Sequence, residues 1–352
     1  EEGVRFAVPK PRRWLALLFD EFNSRTQDRE RWVKAARTWV DEQMQPDDRV
    51  AIAVLKRNGI KTLVGFTGDK APLSQLLGDP GFMTAGEYHD FSSDMSQLVA
   101  NLSTCDNAYN KLNCSMVAAQ TTVQEWEART RATMAAMREF VAGMAAIPGR
   151  KIVLYLSNGL LADPGAIAGD ALRGKLGPEA ISVTSARMMF ESRLHGVMLD
   201  VTRVAAAAGV TFFTFDTRNS AKRDAANDVE QREMLNFARG VDPYMEIFDA
   251  SRADMGMMAL QTGGRALDGP AIEKNFPAAA AAVEGLYTVG FYRDPSIEGA
   301  PKIKVKVSRK HTEVTFPDRV KVIRGLPQVV RLEIGIGKPR PYERSIQLPV
   351  LV

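Results

Sequence analysis

Hydrophobic positions fall into two rhythms along this chain. The run "WLALLFDEFNSR", Trp14 to Arg25, opens with six consecutive apolar residues and breaks abruptly into Asp20, Glu21, Asn23 and Ser24. A continuous apolar run of that length bounded by turn residues reads as a strand buried on both faces. The next segment, "TQDRERWVKAARTWVDEQM", places Trp32, Val33, Ala36, Trp39, Val40 and Met44 at helical spacing, with Thr26 the expected N-cap. In "RVAIAVLKRNGIKTLVGFTGD" two β-rich runs flank Asn58-Gly59, the strongest short-range signal of a hairpin. A short helix is expected over "APLSQLL".

Residues 80 to about 121 are polar, hold both cysteines, and are expected to form an irregular insertion. A long helix is predicted from about Val123 to Ile147, ending at Pro148-Gly149. "RKIVLYLSNGL" then reads as a second buried strand, and "GVTFFTFDT" as a third that ends in Asp216. Between them a helix is predicted from about Ala186 to Ala208. Residues 218 to 250 are charged and expected to be irregular or helical, with helices following over "ADMGMMALQ" and "PAAAAAV".

The rhythm changes at Gly285. "GLYTVGFYRD", "PKIKVKVSR", "TEVTFP", "RVKVI", "QVVRLEIGIG" and "SIQLPVLV" are strand-like, and residues 302–316 are expected to form a hairpin turning near Lys310-His311. The row Lys302, Lys304 and Lys306 is expected on a solvated face or guarded edge. The predicted architecture is therefore α/β: a doubly wound, mostly parallel sheet over 12–284 with one antiparallel hairpin at its edge, and a β-rich extension over 285–352.

In open α/β sheets ligands sit outside the carboxyl ends of the strands. Three predicted strands end there in polar clusters: Asp20 to Ser24, Ser157-Asn158 and Asp216-Thr217. Asp20, Asn23, Ser24, Ser157, Asn158 and Asp216 are thus the candidate residues of a common crevice.

The order strand ending "FDEFNS", helix, Asn-Gly hairpin, then "GRKIVLYLSNGL" resembles a von Willebrand factor type A domain. "LQTGG" followed by "YTVGFYRD…KIKVKVSRK" is similar to a bacterial, exported branch of that group. The resemblance spans roughly residues 12 to 320. It implies a Rossmann-like fold, protein binding or adhesion, and a metal-ion-dependent adhesion site of the form Asp-x-Ser-x-Ser, with a Thr and a further Asp from other loops. Hard oxygen ligands of that kind suit Mg²⁺ or Ca²⁺. Here Asp20 and Ser24 match, and Asn158 stands where an Asp is usual. Phe22 replaces the first Ser, and Thr84 is the nearest counterpart of the Thr. The implied ligand set Asp20, Ser24 and Asn158 is therefore degenerate, so no cofactor is expected, with Mg²⁺ or Ca²⁺ as the alternative.

Composition narrows the classes. The chain has 352 residues, is 45% hydrophobic and 25% charged, and carries a net charge of +4. Lys and Arg are spread along the chain, with enrichment only near the C-terminus, which argues against nucleic acid as a partner. No apolar run approaches the ~20 residues of a membrane helix. Cys105 and Cys114 flank one short polar loop. They read as a disulfide of a secreted, periplasmic or cell-surface protein, or as two free thiols in a cytosolic one. The chain opens Glu1-Glu2-Gly3 without Met, which fits either removal of a targeting segment or a trimmed end.

Other chemistry is sparse. His89, His195 and His311 sit at no strand end, and no Gly-x-Ser-x-Gly nucleophile elbow is present. Thr262-Gly263-Gly264 lacks the spacing and the Lys of a phosphate loop. The expectation is a non-enzymatic protein-interaction or adhesion module. The alternatives are a divalent-metal hydrolase using Asp20 and Asp216, or a structural subunit of an oligomeric envelope assembly.

Overall fold

A computed structural model describes residues 13–83, 91–177, 194–218, 243–268 and 272–281, together with six short strands between 286 and 351. Its centre is a six-stranded sheet. In chain order the strands are β1 (Trp14–Asp20), β2 (Arg49–Lys56), β3 (Gly59–Thr67), β4 (Lys151–Ser157), β5 (Val210–Asp216) and β6 (Ala266–Asp268). In space they run β3-β2-β1-β4-β5-β6, parallel throughout except for the β2–β3 hairpin. Gly59 takes φ +123 at the turn, a conformation open to glycine and to few other residues.

Helices cover both faces of the sheet, and strand alternation sorts the core into two halves. Leu15, Leu17 and Phe19 of β1 face α1 (Thr26–Glu42), α2 (Lys70–Leu77) and α8 (Ile272–Ala281), meeting Trp32, Leu73 and Phe276. Ala16 and Leu18 face the other way, onto α4 (Lys111–Gly143), α6 (Leu194–Ala208) and α7 (Pro243–Gln261). Continuous apolar runs were needed on β1, β4 and β5 because both faces of each are covered, and all but Trp14 in these strands are buried.

Two joints hold the sheet's lower edge. Arg13 donates from Nε and Nη2 to the buried Asp48 carboxylate at 2.5 and 2.6 Å, tying the start of β1 to the start of β2. Thr262-Gly263-Gly264 is likewise a joint: the Thr262 hydroxyl accepts from Phe212 N at 3.0 Å. A Cβ on Gly264 would lie 1.8 Å from the Phe212 carbonyl oxygen. Backbone proximity therefore explains Gly264, and a φ of +79 explains Gly263. On the outer strand β3, register shifts interrupt the pairing with β2 twice, and such irregularities blunt an edge against further strands.

Two expectations are corrected. Residues 91–104 form a helix, α3, and α4 begins at Lys111, so 80–121 is not the irregular insertion that its polar composition predicts. Met95, Leu98, Val99 and Leu102 recur at helical spacing and bury themselves against α4 and α5 (Pro164–Leu176). Burial of that stripe outweighs the turn-forming tendency of the Ser and Asn between. The N-cap of α1 is Arg25, with no side-chain cap, and Thr26 is the first helical residue. Beyond Gly285 the described strands are β7 (Leu286–Tyr292), β8 (Lys304–Val305), β9 (Val314–Thr315), β10 (Lys321–Val322), β11 (Val329–Ile336) and β12 (Val350–Leu351). β11 pairs with β7, β9 and β10, while β8 pairs with β12. The expected 302–316 hairpin, with its turn near Lys310-His311, lies mostly outside the described residues; its two described pieces, β8 and β9, pair with β12 and β11. Most of 285–352, including Lys302, Lys306 and His311, lies outside the described residues, as do Thr84 and His89.

Candidate functional site

The three polar strand ends do converge. Parallel registry sets Leu18 beside Tyr155 and Phe19 beside Leu156, and sets Ser157 beside Asp216. Asp20, Ser157 and Asp216 therefore terminate three adjacent strands, with β4 in the middle. Asp20, Ser24 and Ser157 are fully buried, and Asn23, Asn158 and Asp216 nearly so.

Asp20 is held by protein donors on both oxygens. Asn23 donates its backbone N–H to Oδ1 at 2.8 Å, and its amide to Oδ1 and Oδ2 at 3.2 and 3.0 Å. The Tyr155 and Ser157 hydroxyls donate to Oδ2 at 2.5 and 2.8 Å. Burial raises the Asp20 carboxyl above its ordinary range, against the lowering effect of these donors. The Tyr155 phenol is pushed well above its usual value, first by burial and then by the neighbouring carboxylate.

The Ser24 and Asn158 groups are engaged as fully. Ser24 Oγ accepts from the Asn158 backbone N–H at 3.1 Å. The Asn158 amide donates to Asp28 Oδ2 at 2.7 Å, and its Oδ1 accepts from the Thr217 hydroxyl at 2.8 Å. The loop between β1 and α1 is clamped from beneath by Arg29, which is buried and donates to the carbonyls of Glu21, Ser24 and Met83. Phe22 sits in the core beneath. Glu21 pairs with Lys56 at 3.1 Å.

Asp216 belongs to a different network. Arg218 donates to both of its oxygens at 2.7 Å, and Arg252 Nε adds a contact at 3.2 Å. With β4 between them, β1 and β5 stand about 10 Å apart, so the Asp20 and Asp216 carboxylates serve separate partners. Among the described residues no three His, Cys, Asp or Glu side chains form a group that could hold a metal ion. A cavity of about 400 Å³ lies elsewhere, between α1 and α8, beside Arg31, Lys34, Thr38 and Glu273.

The expected disulfide is present: Cys105 and Cys114 are bonded. No described helix is long and apolar enough to cross a membrane.

No protein-family model matches the chain, and no curated protein matches it. Matches come from solved structures. Human COPII-coat protein Sec24c is 8% identical with a TM-score of 0.39, over 92% of this chain and 38% of that one. The pilus adhesin SpaC of Lactobacillus rhamnosus GG is 10% identical with a TM-score of 0.37, over 93% and 39%. The three N-terminal domains of the type V pili tip protein Mfa5 from Porphyromonas gingivalis give 10% and 0.33, over 92% and 58%. The chain spans less than two thirds of the length of each. None of the three supplies a function for it.

Tyr155, Asp28, Arg29, Arg218 and Arg252 belong to the strand-end networks and escape sequence reasoning. Tyr155 and Ser157 share one side of β4, and a lone phenol inside an apolar strand was the available signal. Asp28 sits in the first turn of α1, where an acid complements the helix dipole anyway. Arg29 and Arg252 sit on helices whose approach to the strand ends no local pattern announces.

Proposed function

We propose that this chain is a non-enzymatic protein-interaction module of the von Willebrand factor A kind, acting outside the cytoplasm, and that its strand-end cluster is a latch requiring no divalent ion. One observation carries the reading. Both Asp20 oxygens, the Ser24 hydroxyl oxygen and both ends of the Asn158 amide are already engaged by protein groups. A Mg²⁺ or Ca²⁺ site needs oxygens aimed at a common point. Here N–H and O–H donors from Asn23, Tyr155 and Ser157 already engage both Asp20 oxygens. The residues present do not fit a divalent ion, and Phe22 offers no oxygen.

The same geometry weighs against hydrolysis through Asp20 and Asp216. One is closed in by Asn23, Tyr155 and Ser157, the other by two guanidinium groups. The Cys105–Cys114 disulfide supports an oxidising, exported setting, because such bonds persist where thiols are not kept reduced.

Thermal melting with EDTA and with millimolar Mg²⁺ or Ca²⁺ tests the latch. A bound ion at ~100 times its dissociation constant adds about 2.7 kcal/mol, a rise of a few degrees in a protein this large. The expected result is superimposable melts. A reproducible rise with either ion would restore the metal-bridged reading.

A further inference from the structure

The chain contains two Asn-Gly dipeptides, Asn58-Gly59 and Asn158-Gly159. Asparagine before glycine is chemically labile, because no Cβ on the following residue hinders its backbone nitrogen. That nitrogen can attack Cγ, the carbonyl carbon of the Asn side chain. Both glycines hold a positive φ, +123 at Gly59 and +145 at Gly159. What differs is how each dipeptide is held.

Asn58 ends the turn between β2 and β3 and is exposed, as is Arg57 beside it. Among the described residues no hydrogen bond holds the Asn58 side chain. Gly59 faces Lys56 in the last rung of the hairpin, and an end rung opens at little free-energy cost. A Cβ built on Gly59 would meet nothing within 4 Å, so the turn is uncrowded there. Asn158, by contrast, is 4% exposed. Its amide nitrogen donates to Asp28 at 2.7 Å, and its Oδ1 accepts from the Thr217 hydroxyl at 2.8 Å. Gly159 N, the atom that would attack, donates to Ser157 Oγ at 3.0 Å. Cyclisation there has to break these three bonds together in a buried site, which slows it on the order of a hundredfold.

We propose that the exposed Asn58-Gly59 turn is a site of spontaneous deamidation, and that the strand-end network withholds Asn158-Gly159 from the same reaction. The chemistry needs only water. A bond forms from Gly59 N to Asn58 Cγ, the nitrogen's proton passes to solvent, and the Cγ–Nδ2 bond breaks with ammonia leaving. Water then opens the cyclic imide. Opening at Cγ gives aspartate at position 58. Opening at the backbone carbonyl gives iso-aspartate, whose main chain runs through the former side chain. One water is consumed and one ammonia released, with no change of oxidation state. The new carboxylate at position 58 has Lys56, Arg57 and Lys61 as sequence neighbours, so its charge is accommodated. At position 158 it would stand against Asp28. The network that seals the strand ends thus also preserves the amide on which it depends, independently of any partner.

The test holds the full chain folded in ¹⁸O-water at neutral pH, beside a sample kept in urea above its unfolding midpoint. Peptide mapping under acidic conditions resolves Asn, aspartate and iso-aspartate at each position, with ¹⁸O marking conversion during the incubation. In the folded chain position 58 should convert to a mixture of aspartate and iso-aspartate. Position 158 should lag it on the order of a hundredfold. In urea the two should convert at similar rates. Thr217→Val removes one partner of Asn158 and, once shown to melt above the incubation temperature, is incubated alongside. It should raise the rate at 158 about tenfold and leave that at 58 unchanged. A position 58 as slow as 158 in the folded chain would overturn the modification site. Equal rates at 158 in folded and unfolded protein, or no response there to Thr217→Val, would overturn protection by the network.

Discussion

Tyr155 and Asp20 are joined from β4 to β1 by a hydrogen bond of 2.5 Å, the phenol donating to Oδ2, with neither side chain exposed to solvent. A buried carboxylate is tolerable only when donors surround it, and Tyr155 is the donor that the adjacent strand contributes from its interior. Tyr155→Phe removes the hydroxyl and leaves the ring volume. The expected loss is about 1–3 kcal/mol, the cost of an unsatisfied buried polar group. Urea denaturation of parent and variant measures it. Equal midpoints would show that Asn23 and Ser157 satisfy Asp20 unaided.

Asn158→Asp places a carboxylate where the Asn158 amide now donates to Asp28 at 2.7 Å. Two like charges at that distance repel, and the donor is lost. The variant should be destabilised by about 2 kcal/mol and should recover part of this with millimolar Ca²⁺ or Mg²⁺, whereas the parent is expected not to respond. Phe22→Ser is a poorer route to a metal site, because Phe22 packs in the core and its loss leaves a cavity. Melting curves with and without the ions decide the outcome. An ion-insensitive Asn158→Asp variant would mean that the loop geometry itself excludes a cation.

Asp254 lies on α7 and accepts the Ala162 N–H at 2.6 Å, just after the site loop of β4. Burial pushes its carboxyl up to about 6; the Ala162 N–H and nearby His195 pull it down, and Asp163 adds to the rise. The folded protein thus holds this proton more tightly than the unfolded chain does. The favourable contribution is complete below about pH 4 and lost as pH rises through 6. A difference of that size is worth at most about 3 kcal/mol. Relative to Asp254→Asn, the parent should therefore gain stability between pH 7 and pH 5. Denaturant midpoints that shift equally in both proteins would assign the pH response to other groups.

The disulfide closes a loop whose ends are 9 positions apart, for which the chain-entropy account gives about 2–3 kcal/mol. Thiol titration of the denatured, unreduced protein should find no free thiol. Cys105→Ala/Cys114→Ala should lower stability by that amount and loosen the turn between α3 and α4, seen as faster amide exchange over residues 105–117 while β1, β4 and β5 keep their protection. Exchange spreading into those strands would show that this turn and the sheet unfold as one unit.

Local pattern was sufficient for the sheet. Continuous apolar runs at 14–19 and 152–156 and the β-rich run at 210–215, each bounded by turn residues, read as strands buried on both faces, and Asn58-Gly59 reads as the turn of a hairpin. Each of those decisions depends on residues within one element, so the sequence alone carries it. Chain order then brings Asp20, Ser157 and Asp216 to a common edge, because parallel strands share a direction. What occupies that edge was not legible. Whether Asp20 meets a cation or the Tyr155 hydroxyl depends on the registry of β1 with β4, fixed by packing over both faces and not by either strand. The same holds for Asn158, whose amide finds Asp28 and Thr217 only once α1 and β5 have docked. In residues 91–121 the short-range signals of Ser, Asn and Cys pointed to loop, and burial of Met95, Leu98, Val99 and Leu102 against α4 and α5 decided for helix. Periodicity determined where this chain makes strands; only tertiary contact decided that its strand ends are sealed by their own side chains.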